Sequence, residues 1–427
     1  MNILIKNGRV IDPSSGLDKI ADVLIEEGKI KKIRNSKFEI RNFEVIDATG
    51  KIVTPGLIDI HTHLRTPGQE EKETIATGTR AAAVGGFTTI ACMPNTNPPV
   101  DNPSIVSYIL DKSEKEGVVN VVPIGAVSKG MRHEELVDVE GLINAGVVAI
   151  SDDGYPVMDT DFAQKILETA KEFGIPFISH CEDTTLSKCG VMNKGHCSAT
   201  LKLPGMPKAA EEVMVRQNLI LAGAVGGKLH IAHVSTKRSV GLIREAKKRG
   251  VKVTCEVCPH HFTLTDEMVK IHDTNTKMNP PLRSQEDVEA IKEGLKDGTI
   301  DVIATDHAPH TPSEKATNWL NAPFGIIGLE TSLGLVLTEL VHSGVISLHE
   351  AIAKMTINPA KVLGLEAGAL RVGREADITI IDMEKEWIVD VNKFESKARN
   401  CPYNGWKLKG KAVMTIVGGK VIMEDEK

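Results

Sequence analysis

The sequence predicts an α/β protein centred on a (β/α)8 barrel of the TIM type, because eight short apolar runs alternate with amphipathic helical stretches through its middle. Both ends instead hold alternating, strand-like segments, which predicts a small β-sandwich domain built from the two termini. The expected division is 1–54 plus 366–427 for that domain and 55–365 for the barrel.

Each element follows from local pattern. At the N-terminus, ILIKNGRVID, ADVLIEEGKIKKI and FEVIDATGKIV read as strands, with Asn7-Gly8 and Glu27-Gly28 as hairpin-type punctuation. The C-terminal counterparts are ADITIID, EWIVD and AVMTIVGGKVI. Either tail alone would leave a sheet face unburied, so the two are expected to join. The barrel runs are GLIDIHTHL, TTIACMPN, VNVVPIGAV, VVAISDDG, PFISHCE, KLHIAHVS, VKVTCEV and DVIATDHAPH. Between them lie helical stretches such as EKETIATGTRAAAVG, FAQKILETAKEFG, SVGLIREAKKRG and SQEDVEAIKEGLKDG, several closing on glycine near basic residues. No GxGxxG follows the first strand, which argues against an open dinucleotide-binding sheet.

Composition narrows the function classes. The 427 residues carry a net charge of -6, which opposes a dedicated nucleic-acid binder. No stretch of about 18 apolar residues suggests a membrane span, and the first residues do not resemble a signal peptide. Seven cysteines, an odd and sparse number, read as reduced thiols of a cytoplasmic protein.

Residues able to bind metal gather at the C-terminal ends of the barrel runs, where barrel enzymes place their chemistry. His61 and His63 are two apart on a strand and therefore share a face. Asp152-Asp153-Gly154, His180, His233 and Asp306-His307 end four other runs. Four imidazoles and two carboxylates fit one or two borderline ions, and zinc suits that donor set best. A lone buried histidine is ordinarily a core residue, but signals on five strands together are hard to obtain by chance. Cys255-x-x-Cys258 before His260-His261 invites a structural zinc reading, but it lacks a second ligand pair at finger spacing, so no zinc is expected there. Cys181 should point to the strand face opposite His180. Cys189 and Cys197 read as free thiols, and His133, His196, His272, His342 and His349 as surface residues.

At these residues the chain resembles the amidohydrolase superfamily and, within it, the class I bacterial dihydroorotases. The resemblance is carried by Asp59-Ile60-His61-Thr62-His63-Leu64-Arg65, Met93-Pro94-Asn95-Thr96, Ser151-Asp152-Asp153-Gly154, His180-Cys181-Glu182, His230-Ile231-Ala232-His233-Val234-Ser235, Pro259-His260-His261-Phe262, Met278-Asn279-Pro280-Pro281-Leu282-Arg283 and Thr305-Asp306-His307-Ala308-Pro309-His310. It implies a zinc-dependent hydrolase of pyrimidine biosynthesis that interconverts dihydroorotate and N-carbamoyl-L-aspartate. It also implies that His61, His63 and Asp306 hold one zinc and that His180 and His233 hold a second, with Asp153 bridging them. The superfamily's commonest bridge is a carboxylated lysine, and VVAISDDG has no lysine. Asp306 is expected to take a proton from water and give it to the leaving ring nitrogen. The resemblance further gives His63, Arg65, Asn95 and His310, with Asn279 and the Phe324-Gly325 backbone, to the substrate. The stretch from Asp306 to Ile327 is expected to act as a lid. Alternatives are a hydantoinase or allantoinase, or a weakly active structural partner of aspartate transcarbamoylase. A homo-oligomer, and a complex with that transcarbamoylase, are the expected assemblies.

Overall fold

The computed structural model describes residues 2–34, 43–270 and 273–425. His272 lies outside the described residues. The N-terminal strands are β1 (Ile3–Asp12), β2 (Leu17–Glu26), β3 (Lys29–Arg34), β4 (Glu44–Asp47) and β5 (Ile52–Pro55). The barrel strands are β6 (Leu57–Thr62), β7 (Phe87–Cys92), β8 (Asn120–Pro123), β9 (Ile150–Ser151) and β10 (Phe177–Ser179). After a short ladder of β11 (Met192–Asn193) and β12 (Gly205–Met206), they continue as β13 (Leu229–Ile231), β14 (Val253–Val257) and β15 (Val302–Ile303). The chain closes with β16 (Ile378–Ile388), β17 (Lys407–Val417) and β18 (Lys420–Glu424).

All eight apolar runs of the middle become barrel strands. The parallel ladders form two arcs, β6-β7-β8 and β9-β10-β13-β14-β15. Parallel bridges Gly125–Ile150 and Thr62–His307 join the arcs, and His63 N donates to His307 O at 2.8 Å to close the ring. Inside, Ile58, Ile60, Ala91, Ile124, Ala149, Ile178, Ala232, Val302 and Ala304 fill the lower barrel. The polar strand ends therefore sit above an apolar floor.

The outer helices form where the pattern placed them. Thr160–Phe173 is capped by Asp159, whose carboxylate accepts from Phe162 N, and it stops at Gly174 with φ 71°. It buries Phe162, Ala163, Ile166, Leu167 and Ala170 at helical spacing. Full burial of each larger apolar side chain contributes about 1.5–3 kcal/mol.

The two termini form one eight-stranded sheet, ordered β18-β17-β16-β5-β1-β2-β3 with β4 paired to β1. Glu27-Gly28 is the turn between β2 and β3, with φ 52° and 80°. Asn7-Gly8 is not a turn. It is a bulge inside β1, where the register to β2 shifts between Ile5 and Gly8. Asn7 adopts φ 62° there, held by Asp22, which accepts from its backbone N, and by Asp47, which accepts from its side chain. A Cβ on Gly8 would meet Val53 Cγ2 at 2.5 Å, so close approach of β5 explains the glycine.

The C-terminal segment does more than complete this sheet. Val389, Ala398, Cys401, Tyr403 and Leu408 pack with Leu264, Met278, Leu282, Ile326, Ile327 and Leu335 at the barrel mouth. Asn400 Nδ2 donates to Ala308 O and Gly325 O at 3.0 and 3.1 Å. Residues assigned from sequence to the terminal domain thus brace the loops around the strand ends. Among the described residues, no helix is long and apolar enough to cross a membrane.

The junction between the sheet and β6 offers a test. A Cβ on Gly56 would lie 2.6 Å from Thr88 Cβ in β7. Gly56→Ala should destabilise the chain by about 1–3 kcal/mol through overpacking. Calorimetry should show a melting temperature lowered by several degrees, and an unchanged value would contradict this packing.

Candidate active site

Strand ends bring the predicted donors to one point. His61 comes from β6 and His63 from just past it, Asp153 from the turn after β9, His180 from just past β10, His233 from beyond β13 and Asp306 from beyond β15. All six are buried. His63 Nε2 lies 3.1 Å from Asp306 Oδ1 and 3.5 Å from Asp153 Oδ2. His61 Nε2 lies 3.5 Å from Asp153 Oδ1 and 3.6 Å from Asp306 Oδ1. On the other side, Asp153 Oδ1 is 3.5 Å from His233 Nε2 and 3.7 Å from His180 Nδ1. Asp153 therefore stands between two donor groups, His61–His63–Asp306 and His180–His233.

The outer nitrogens decide what the inner ones carry. His61 Nδ1 meets Glu256 Oε1 at 2.5 Å, His63 Nδ1 meets Asn95 Oδ1 at 2.8 Å, and His180 Nε2 meets Glu182 Oε2 at 3.1 Å. Each partner is an oxygen acceptor, so each outer nitrogen holds the hydrogen and each neutral ring turns a lone pair inward. His180 Nδ1 and His233 Nε2 approach to 2.9 Å. Lone pairs and carboxylate oxygens facing one another in a dry site repel unless a cation or protons lie between them. Consistent with this, His61 Nε2 and Asp153 Oδ1 are buried without a hydrogen-bond partner among the described residues.

The separations suit a metal. Tetrahedral zinc with arms of about 2.0–2.1 Å has ligand–ligand edges of about 3.3–3.4 Å. His61, His63 and Asp306 form one group able to hold an ion, and His61, Asp153 and His233 another. The titration behaviour points the same way. Burial pushes the Asp306 and Asp153 carboxyls up, but the His63 hydrogen bond at Asp306 and the imidazole charges around both outweigh it and hold both below the ordinary range. Burial disfavours a charged His61 ring, yet Asp153 and Glu256 raise its pKa well above the usual value. Surroundings that stabilise a proton at Nε2 also stabilise a metal cation there.

A cavity of about 370 Å³ opens above these donors. Its wall includes Arg65, Asn95, Asn279, His310, Phe324 and Gly325, the residues that the resemblance gave to substrate. Arg65 is buried and donates from Nε to Pro309 O at 3.1 Å; no ion pair of its guanidinium occurs among the described residues. His310 Nε2 donates to Phe324 O at 2.7 Å, which fixes that nitrogen as the protonated one. Burial, then the charges of Arg65, Lys315 and Lys72, push His310 down to about 3, so its ring is neutral. Asn279 Nδ2 donates to Glu182 Oε2 at 2.7 Å. Both polar groups of Gly325 are engaged, N with Lys277 O and O with Lys315 and Asn400. The Phe324 carbonyl accepts only from His310 among the described contacts and keeps a lone pair for a ligand.

The backbone is strained where the donors sit. Arg65, His233 and Asp306 adopt φ 58°, 33° and 49°, each a left-handed conformation costing about 1–3 kcal/mol for a non-glycine residue. Strain of this kind persists when surrounding contacts over-determine it. Ser235 and Thr236, just past His233, are tied to buried Glu211, which also pairs with Arg283 at 3.5 Å.

Other sequence features resolve differently. Asp152 turns away from the centre and accepts from Val127 N and Ser128 Oγ. His307 also turns away, meeting Glu73 Oε2 at 3.4 Å and accepting from Gly328 N. Cys181 points to Ser179 and Asn218, and burial pushes its thiol up to about 12. Cys255 donates to Thr299 O, away from Cys258. Cys258, His260 and His261 do lie together. Burial, then the nearby carboxylates, raise the Cys258 pKa well above its ordinary value, which opposes the thiolate a metal needs. His133 is half-buried against Asp152 at 3.0 Å and so is not a free surface residue.

Sequence reasoning missed Glu256 and the pairing role of Glu182. A carboxylate two residues before Cys258 on an inward strand face was the available signal for Glu256. Glu256→Gln should weaken metal retention about 10- to 100-fold while leaving the fold intact. Competition with a chelating dye, read beside circular dichroism, checks this; unchanged affinity would remove Glu256 from the support of His61.

The model of the Amidohydrolase family matches residues 52–422. A dihydroorotase of Acetivibrio thermocellus is 52% identical over 424 residues, covering 99% of each chain. A dihydroorotase of Pelotomaculum thermopropionicum is 55% identical over 425 residues, covering 100% of this chain and 99% of that one. Among solved structures, the L-hydantoinase (dihydropyrimidinase) of Arthrobacter aurescens superposes with a TM-score of 0.90 at 26% identity, covering 100% of this chain and 96% of that one. By family match and by relatedness along its length, the chain belongs to the amidohydrolase family.

Proposed function

We propose that the chain is a zinc-dependent dihydroorotase, opening dihydroorotate to N-carbamoyl-L-aspartate and closing it again in de novo pyrimidine synthesis. The observation that carries this reading is a metal-donor cluster and a buried guanidinium, without an ion pair among the described residues, lining one cavity. Whole-length relatives at 52% and 55% identity bear the name dihydroorotase, which supports it.

One or two zinc ions would be held by His61, His63, Asp153, His180, His233 and Asp306. Bound there, zinc supplies Lewis acidity that lowers the pKa of water toward neutrality and polarises an amide carbonyl. The chain's own groups do the rest. Asp306, ionised and beside His63 Nε2, accepts the proton of the attacking water and returns it to the departing ring nitrogen. Arg65 pairs with the substrate carboxylate, and Asn95 adds an amide. A ligand carboxylate there competes with the Phe324 carbonyl for the His310 N–H. Asn279 and the free lone pair of the Phe324 carbonyl take the ring's amide edge.

Hydantoinases share the fold. A carboxylate-binding guanidinium suits a ring that bears a carboxylate, as dihydroorotate does and hydantoin does not. The strand of residues 147–153 carries no lysine, so Asp153 is the bridge on this reading. The protein is further proposed to act in the cytoplasm as a homo-oligomer, with aspartate transcarbamoylase as the partner to test by co-sedimentation.

Purified, zinc-loaded protein should turn over dihydroorotate far faster than dihydrouracil, hydantoin or allantoin in parallel assays. Chelation should abolish this activity and zinc should restore it. Asp306→Asn should lower kcat by about 10²- to 10⁴-fold at saturating zinc. Arg65→Met should raise KM for dihydroorotate about 10- to 100-fold, the worth of a charged hydrogen-bonded pair. Preference for a neutral ring, or near-normal kcat in Asp306→Asn, would overturn the proposal.

A further inference from the structure

The wall facing the metal donors contains two buried lysines that the proposed chemistry does not use. Lys277 and Lys315 are 2% and 7% exposed. Lys277 follows the loop after β14, and Lys315 ends the short helix Pro312–Lys315. Burial of an ammonium costs several kcal/mol unless the charge is well received. Here the receivers are backbone carbonyls. Lys277 Nζ donates to Trp319 O and Leu320 O at 2.7 and 3.2 Å. Lys315 Nζ donates to Pro323 O, Gly325 O and Lys277 O at 3.0, 3.1 and 3.4 Å.

These contacts converge on one stretch of chain. Four of the five carbonyls belong to residues 319–325, and the fifth belongs to Lys277, which accepts from Gly325 N at 3.0 Å. Lys277 Nζ also lies 4.6 Å above the Phe324 ring, a cation–π contact that orients it. Thr274 Oγ1 donates to Lys315 O, and Asn400 adds its hydrogen bond to Gly325 O. Lys277 thus reaches carbonyls 42 and 43 residues on, and Lys315 joins carbonyls 8 and 10 residues on to one 38 residues back. A methionine would fill the same space without desolvating a charge but would tie nothing.

We propose that Lys277 and Lys315 are positioning residues that lock residues 316–326 as a preformed wall, fixing Phe324 and Gly325 in binding geometry before ligand arrives. The segment is then a fixed part of the pocket and not a closing lid, contrary to what its length and proline content led one to expect. Burial, then the charge of Lys277, draws Lys315 down to about 7 against the charges of Asp273 and Glu314, and burial draws Lys277 down to about 8. The ligand-binding consequence rests on the dihydroorotase reading, whereas the state of the wall does not.

Amide hydrogen exchange on the intact wild-type protein tests the lock without mutation. Residues 316–326 should be protected in the ligand-free enzyme, with less than about twofold further slowing when dihydroorotate is added. Fast exchange that slows only with ligand would overturn the proposal in favour of a lid. Lys315→Met and Lys277→Met, made separately, should each raise exchange in this segment about tenfold with metal content unchanged. Each should raise KM for dihydroorotate about tenfold and move kcat by less than about threefold. Raised exchange with a wild-type KM would deny the wall its role in binding. If dihydroorotate proves not to be a substrate, the exchange measurement still decides whether the wall is locked.

Discussion

The structure depends on one electrostatic constraint, which is that two aspartates and four imidazoles share a dry space at the barrel mouth. Asp153 stands at its centre, within 3.7 Å of a nitrogen from each of His61, His63, His180 and His233. Groups of this kind are costly to bury unless each charge and lone pair is answered. Glu256, Asn95 and Glu182 answer the outer nitrogens and so direct the inner lone pairs toward the centre. What remains is a demand for positive charge between the donors. A divalent cation satisfies it by binding the deprotonated imidazoles and carboxylates, so its retention falls as those groups protonate.

The rest of the fold reads as support for that arrangement. Parallel strands carry their side chains to one rim, and small apolar residues beneath them keep water out of the floor. Left-handed backbone at Arg65, His233 and Asp306 is tolerated because ladders, caps and buried ion pairs hold the neighbouring residues. The C-terminal segment adds a second layer, since Asn400 and Ser396 reach back to Gly325 and Glu73. Glu73 in turn faces His307, next to Asp306. The terminal sheet therefore contributes to the geometry of a site formed mainly by the barrel.

Much of this was legible in the amino-acid order because the barrel writes its chemistry at strand ends. His61-Thr62-His63 declared a shared face through the two-residue period, and runs ending in His180, His233 and Asp306 declared a common rim. Asp152 and Asp153 were ambiguous by position alone, and the resemblance singled out Asp153; the turn after β9 shows that Asp152 fastens Val127 and Ser128 while Asp153 enters the centre. Asn7-Gly8 misled because a glycine at φ-permissive sequence also serves a bulge when another strand passes close. Lys277 and Lys315 were silent for a different reason. Their partners are backbone carbonyls, which leave no local pattern.

The most direct test of the central claim is the zinc K-edge absorption spectrum of metal-loaded protein in solution, which reports the atoms around the ion. The account predicts a shell of nitrogen and oxygen alone at about 2.0–2.1 Å, with imidazole scattering beyond it. A sulfur scatterer near about 2.3 Å would place the metal at Cys258, His260 and His261 or at Cys181, and would contradict it.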